Sequence, residues 1–260
     1  MQVFQEKLNT INYYKHYYYG SLVKLIMGNM YPWTSGNSGK TINPLGGECP
    51  HKCKYCYVPH MVQKFHSIKE KYSGKIRLEN KVLKKKIGGK GGTIFICSMN
   101  DLFASEVPNE FIIEILKWTN SEPGNSYLFQ SKNPKRMKEY ISFFPPKYIL
   151  GTTIESNIDY KISSAPPPFE RYQGIKILSE LKLPIMVSIE PVLKFDLKIL
   201  TNWIEDIDPA FVSIGADSKN INENIPEPTS NEVKELVLSL RKITEVRIKK
   251  NLTRLCPIFD

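Results

Sequence analysis

From Thr93 to Leu240 the chain alternates short, β-branched apolar runs with longer amphipathic ones, and that alternation admits few folds. Ile94-Phe-Ile-Cys97 follows a Gly-rich turn and reads as a buried strand. Pro108 to Asn120 reads as a helix with Phe111, Ile112, Ile115 and Leu116 on one face. The pattern then repeats. Strands are expected at Tyr127–Gln130, Tyr148–Thr153, Ile185–Ile189 and Phe211–Ile214. Helices are expected at Pro134–Ile141, Glu170–Leu181 and Leu197–Ile207. A last helix opens with the capping box Thr229-Ser-Asn-Glu232. Five strands alternating with helices imply right-handed βαβ units and a parallel sheet. A strand near Thr41–Asn43 makes six, and an extended piece near Val246–Lys249 is expected to cover the open side.

Between the first two strands stands Cys-Pro-His-Lys-Cys-Lys-Tyr-Cys-Tyr, with thiols at Cys49, Cys53 and Cys56. A [4Fe-4S] cluster normally takes four cysteines. Three leave one iron open to a substrate or cofactor. Two other readings use the same residues. With His60 they make a four-ligand zinc set, but no second ligand-bearing knuckle frames it. Cys53 and Cys56 alone make a thioredoxin-like redox pair, which leaves Cys49 unexplained. The C-x3-C-x2-C spacing, with Tyr55 before the third Cys, resembles the signature of the radical S-adenosylmethionine (SAM) superfamily. In that superfamily the open iron chelates the amino and carboxylate groups of SAM, and one-electron reduction releases a 5′-deoxyadenosyl radical. Six βα units match its partial (βα)6 barrel. The fold class expected is therefore α/β, a partial (βα)6 TIM-like barrel of parallel strands with an aromatic-rich N-terminal extension.

The 260 residues suit one large α/β domain or two small ones, and 41% apolar content supports a substantial core. No apolar run approaches a membrane span. The first residues lack the pattern of a signal peptide, and five cysteines, three in one loop, are not a secreted disulfide framework. The cytoplasm is the expected compartment. Boundaries are expected at 1–40 (extension), 41–245 (barrel) and 246–260 (a tail covering the barrel). The extension carries Tyr13, Tyr14, Tyr17, Tyr18 and Tyr19, read as packing over the barrel with base stacking as the alternative. Gly39-Lys40-Thr41 is no P-loop, because Thr34 stands at the first Gly position. Gly88-Gly-Lys-Gly-Gly92 precedes its strand and reads as a connection. Residues 1–100 hold sixteen Lys or Arg against four Glu, whereas residues 101–260 hold twenty against twenty-two acids. One positive face, with a polyanion as partner, is the reading.

In parallel barrels function gathers at the C-terminal ends of strands. Those ends bring the cysteine loop, then Ser98, Asn100 and Asp101, then Ser131 and Lys132, then Thr152, Thr153 and Glu155, then Ser188 and Glu190, and finally Asp217. A zwitterionic cofactor with a ribose needs an acceptor for its ammonium, a cation for its carboxylate and hydroxyls for its sugar. Asp101, Lys132 and Thr153 supply those chemistries.

The ordered series Asn43-Pro-Leu-Gly-Gly-Glu-Cys49, Ser98-Met-Asn-Asp-Leu-Phe103, Ser131-Lys-Asn-Pro-Lys-Arg136, Gly151-Thr-Thr-Ile-Glu155 and Ser188-Ile-Glu-Pro191 resembles a phage-associated radical SAM family of unknown function, similar to spore photoproduct lyase. The resemblance implies that Asn100, Asp101, Lys132 and Thr153 bind SAM, and Glu155, from the same strand end as Thr153, is expected in the cofactor site beside them. It also implies that Tyr55 lies by the adenine and that Tyr57 approaches the substrate radical. Where the lyase has its hydrogen-donor cysteine, this chain has Ser98; Cys97, one residue away on a strand, would face the opposite side as a core thiol. Lesion reversal by the lyase's mechanism is therefore not expected, and Cys256 has no assigned role. The function expected is radical chemistry on a nucleobase or modified base in nucleic acid, with Glu190 and Asp217 orienting substrate or moving protons. A flavodoxin or ferredoxin would be the reductant. The competing readings are radical chemistry on a peptide or small metabolite, and a non-catalytic zinc- or cluster-containing nucleic-acid-binding module.

Overall fold

The computed structural model describes residues 40–88, 93–217 and 225–259. The expected extension with its five tyrosines, and residues 89–92 of the Gly-rich connection, lie outside the described residues. In chain order, β1 (Lys40–Ile42) and β2 (Leu45–Gly46) precede the cysteine loop. After it come α1 (Val58–Lys64), α2 (His66–Tyr72), β3 (Arg77–Leu78) and α3 (Asn80–Leu83). The regular alternation follows: β4 (Thr93–Ile96), α4 (Asn109–Asn120), β5 (Ser126–Ser131), α5 (Pro134–Met137), β6 (Tyr148–Thr153) and α6 (Pro168–Glu180). It ends with β7 (Ile185–Ile189), α7 (Leu197–Ile207), β8 (Phe211–Ile214), α8 (Ser230–Leu240) and β9 (Glu245–Ile248).

Seven strands form one sheet in the order β1-β4-β5-β6-β7-β8-β9, with every neighbouring pair parallel. This is the α/β partial barrel expected, one strand larger. The extended piece near Val246 pairs in parallel with β8 as a seventh strand. The expected helix from Pro134 to Ile141 is α-helical only to Met137 and continues as a 3-10 turn over Lys138–Phe143. A small antiparallel pair, β2 with β3, flanks the cysteine loop, and nothing in the apolar pattern announced it.

Side-chain alternation divides the sheet into two faces. Ile94, Ile96, Tyr127, Phe129, Leu150, Ile185, Val187, Val212 and Ile214 pack in the main core with Ile112, Ile115, Leu116, Leu178, Leu200, Leu236 and other helix residues. The residues between them, Phe95, Leu128, Met186 and Phe211, form a second cluster with Ile149 and Ala210 on the concave face. Gly151 belongs to that face: a Cβ there would meet Met186 Sδ at 2.6 Å, so glycine leaves the room that Met186 fills. One layer nearer the C-terminal ends the concave face turns polar. Thr153, Ser188, Ser213 and Arg247 occupy successive register positions across β6 to β9.

The helix ends follow local rules. Asp196 caps α7 by accepting from Ile199 N at 2.9 Å, and Asp208 ends it in the left-handed region. The capping box expected at Thr229 and Glu232 is present at the start of α8. Cys97 lies just past β4 with φ +59 and is 2% exposed. It is the buried core thiol expected, although the strand has already ended before it.

Candidate active site

The cysteine loop leaves β2 through Gly47, whose φ is +91 and whose Cβ would lie 2.3 Å from Lys75 O, so only glycine fits. Cys53 and Cys56 close a tight turn, with Cys56 N donating to Cys53 O at 3.0 Å. Two backbone bonds stitch the loop to the segment after β6: Ser164 N donates to His51 O at 2.7 Å and Lys54 N to Ile162 O at 2.9 Å. The three thiols are half-buried. Burial, with the Asp101 carboxylate adding to it, pushes the Cys49 thiol up to about 12; burial raises Cys56 in the same direction. Ligation would displace those protons. Among the described residues no group of three or more His, Cys, Asp or Glu is arranged to hold a single metal ion. His60, the fourth ligand of the zinc reading, is exposed on α1. Three thiols on one loop are the donor chemistry that three corners of an iron–sulfur cluster would take.

Asp101 ties this loop to the sheet. Its Oδ2 accepts from His51 Nε2 at 2.8 Å and Lys132 N at 2.7 Å. Its Oδ1 accepts from Ser131 Oγ at 2.7 Å and Phe103 N at 2.9 Å. Burial opposes its ionisation, but His51, Ser131 and the Lys132 amide outweigh it and hold the carboxyl below its ordinary range. Asn100 works alongside, its Nδ2 donating to Gly47 O at 3.0 Å and its Oδ1 accepting from Asp101 N at 3.0 Å.

A second buried carboxylate, Glu155, stands beyond β6. Its Oε1 accepts from Lys132 Nζ at 2.5 Å and from the Tyr55 hydroxyl; its Oε2 accepts from Arg171 Nη1 at 2.5 Å. Lys132 also donates to Tyr55 Oη at 2.6 Å. Burial would raise the Glu155 carboxyl, yet Lys132 and Arg171, with hydrogen bonds from Lys132 and Tyr55, bring it down to about 2. Arg171 is held by Pro166 O at 2.6 Å and Thr153 O at 3.0 Å. Two cations thus face one carboxylate.

The expected site residues fall in four places. Asn100 and Asp101 join the cysteine loop. Tyr55, Lys132 and Glu155 meet one another, with Thr153 beside them accepting from Gln130 Nε2 at 2.9 Å. Thr152 belongs elsewhere: its hydroxyl donates to Ser131 O, and it is fully buried. Tyr57 donates to Ser98 O at 3.3 Å at the end of β4. Glu190 lies across the mouth, ion-paired with Lys249 and accepting from Asn251 Nδ2 at 2.8 Å. Asp217 is buried near it, its carbonyl accepting from Arg254 Nη2 at 3.5 Å. Two residues escaped the sequence reading. His51 was visible only as a loop residue between cysteines. Arg171 is one of six arginines in a chain whose other thirty cations are lysine, and that rarity was the available signal.

A family model described as "Protein of unknown function (DUF5131)" matches residues 33–204. The chain belongs to this family. No curated protein sequence matches it. Among solved structures the fold is similar to a spore photoproduct lyase variant with bound AdoMet and dinucleoside spore photoproduct. There the TM-score is 0.56 at 9% identity, over 81% of this chain and 76% of that one. The lyase complexed with dinucleoside spore photoproduct gives 0.56 at 9%, over 85% and 80%. SuiB of Streptococcus suis bound to S-adenosylmethionine gives 0.51 at 8% identity, over 80% of this chain and 49% of SuiB. At these identities the likeness is one of fold.

Proposed function

We propose that this DUF5131 chain is a radical SAM enzyme acting on a nucleobase or modified base in nucleic acid. The observation that carries the reading is the loop of three thiols, with no fourth, at the mouth of a parallel barrel. That barrel is similar in fold to AdoMet-bound spore photoproduct lyase. Cys49, Cys53 and Cys56 would hold a [4Fe-4S] cluster, with SAM on its open iron. Bound together, the cluster and SAM would supply the reductive radical chemistry needed for hydrogen abstraction.

The chain's own residues orient and exclude. His51 and Asp101 fix the cysteine loop against β4 and β5. Lys132 offers its ammonium to the cofactor carboxylate by exchanging one of its partners, Glu155 or Tyr55, and Glu155 keeps that ammonium aimed into the mouth. Thr153 and Asn100 supply polar contacts to the cofactor. Tyr57 borders the substrate side, and Glu190 and Asp217 orient the substrate.

Charge supports nucleic acid as the substrate. Residues 52–86 hold eleven Lys or Arg against Glu70 and Glu79. Two of these cations are structural: Arg77 donates to Glu70 O at 2.6 Å and Lys71 O at 3.0 Å, and Lys71 donates to Asn43 O at 2.6 Å. Lys64, Lys69, Lys75 and Lys81 are among those left exposed beside the cysteine loop. A phosphate backbone is their natural partner, and binding should weaken steeply with salt. SuiB bound to its precursor peptide, at a TM-score of 0.54, favours a peptide substrate as the second reading.

Anaerobic reconstitution followed by reduction tests the proposal. Expected are about four irons per chain and 5′-deoxyadenosine formed from SAM, both lost in Cys53→Ala. Retention of turnover in that variant, or no 5′-deoxyadenosine from the wild type, refutes it. Deuterium transfer from labelled DNA or labelled peptide then decides between the two substrates.

A further inference from the structure

Three buried polar atoms on the described residues have no hydrogen-bond partner and share the barrel interior: Gln130 Oε1, Ser213 Oγ and Arg247 Nη1. Strand alternation puts all three on the concave face. Gln130 is two residues beyond Leu128, and Ser213 two beyond Phe211, both members of the concave apolar cluster. Arg247 lies over the Phe211 ring, 3.5 Å from its centroid. Ser213 is 0% exposed and the Arg247 side chain 9%.

Register connects them. Thr153, Ser188, Ser213 and Arg247 form one row across β6 to β9, and Gln130 reaches that row by donating to Thr153. The next layer toward the mouth carries the Glu190–Lys249 ion pair. Gly215 stands in that layer, where a Cβ would meet Glu190 Oε1 at 2.9 Å and Asn251 Oδ1 at 2.6 Å. The concave wall is therefore apolar at its base and polar above, with Glu190 folded over a glycine.

Buried polar atoms are nearly always paired, and each exception calls for an explanation, an ordered water, an ion or a ligand among them. The unpaired set is chemically mixed: Gln130 offers a carbonyl acceptor, Arg247 an N–H donor and Ser213 a hydroxyl that can do either. A ligand satisfying all three carries donors and acceptors together. Nucleobase edges have that character, and the basic segment at residues 52–86 favours a nucleic acid over a peptide.

We propose that the row Gln130, Ser213 and Arg247 is the base-reading wall of the barrel, hydrogen-bonding the edge of the substrate's nucleobase. This rests on the nucleic-acid reading above and assigns its specificity contacts. Arg247 holds its position through Glu245 Oε1 at 2.6 Å and the Phe211 ring, which leaves Nη1 for the base. Ser213 reads the neighbouring group, and Gln130 accepts from the far side.

Titration of the reconstituted full chain with each of the four deoxynucleosides, followed by ligand NMR, tests the wall. Each of Ser213→Ala, Gln130→Met and Arg247→Met should weaken binding of the preferred nucleoside by roughly tenfold. Ser213→Ala should at the same time leave thermal stability of the free protein unchanged or raised, because it removes an unsatisfied buried hydroxyl. A merely structural hydroxyl predicts the opposite, lost stability with unchanged binding. That result, or no nucleoside binding at all, or preferential binding of an unmodified peptide, overturns the proposal. Nucleoside binding is read without SAM turnover. A wild type that binds a nucleoside through these residues yet forms no 5′-deoxyadenosine would refute the enzymatic reading and uphold the wall.

Discussion

The same three groups, a carboxylate, a lysine and a tyrosine hydroxyl, meet twice in this fold. At the mouth they are Glu155, Lys132 and Tyr55; on the outer surface they are Asp206, Lys176 and Tyr172, joining α6 to α7. Contact lengths are alike, 2.5 Å for Lys132–Glu155 and 2.6 Å for Lys176–Asp206. Burial separates them: the side chain of Glu155 is 5% exposed and that of Asp206 39%. Only the inner set recruits a second cation, Arg171. Water screens the outer charges and makes their pairing nearly neutral in free energy. The inner charges have lost that solvent, so each depends on the others. A mouth lined by such a network keeps Lys132 oriented before any ligand arrives.

The largest expected effect is removal of the inner carboxylate. Glu155→Ala leaves Lys132 and Arg171 buried without their counter-charge and should cost about 4 kcal/mol of stability, measured by chemical denaturation. A double variant that also replaces Lys132 with Met should recover part of that loss. A single variant as stable as the wild type would mean that water reaches the network, and the contrast with the surface set would collapse.

Acid should show the same contrast with less force. The Glu155 carboxyl is held at about 2 instead of 4.5, so its contribution is complete above pH 4.5 and is lost as the pH falls through about 2. That depression corresponds to about 3 kcal/mol. The wild type should lose stability over that window, and Glu155→Gln should be flatter there. An unchanged acid limb in the variant would show that other carboxylates control acid unfolding.

Arg171→Lys keeps the charge and removes the fork. It forfeits the bonds to Pro166 O and Thr153 O that an ammonium cannot make together with Glu155. About 2 kcal/mol is expected, with the acid limb retained because the counter-charge remains.

Much of this was legible beforehand. The strands at Tyr148–Thr153, Ile185–Ile189 and Phe211–Ile214 have the bounds their apolar runs predict, since each run is fully used by a strand with helices on one side. The segment from Leu45 to Leu83 was opaque. Its elements are two to seven residues long, and α1 and α2 bury only Val58 and Tyr72, so no periodicity rises above a lysine-rich background. Asp101, Lys132, Thr153 and Glu155 could be placed at strand ends, yet their saturation by one another could not, because His51 arrives from the cysteine loop and Arg171 from the first turn of α6. Arginine use carried part of that information. Arg77, Arg136 and Arg171 each bond several backbone carbonyls, whereas many lysines of the basic segment stay in water.

The smallest effect is the one that tests the comparison most directly. Asp206→Asn removes the outer carboxylate from its lysine and tyrosine, the counterpart of the change at Glu155. Lys176 keeps its hydration when its partner goes, so no buried charge is stranded. Melting temperatures of this variant and the wild type should coincide, and added salt should not separate them. A loss approaching that of Glu155→Ala would show that pairing itself, rather than withdrawal from water, makes the inner network matter. In that case the stacked Tyr172–Trp203 pair, 4.8 Å between centroids, would have to depend on Asp206 to hold α6 against α7.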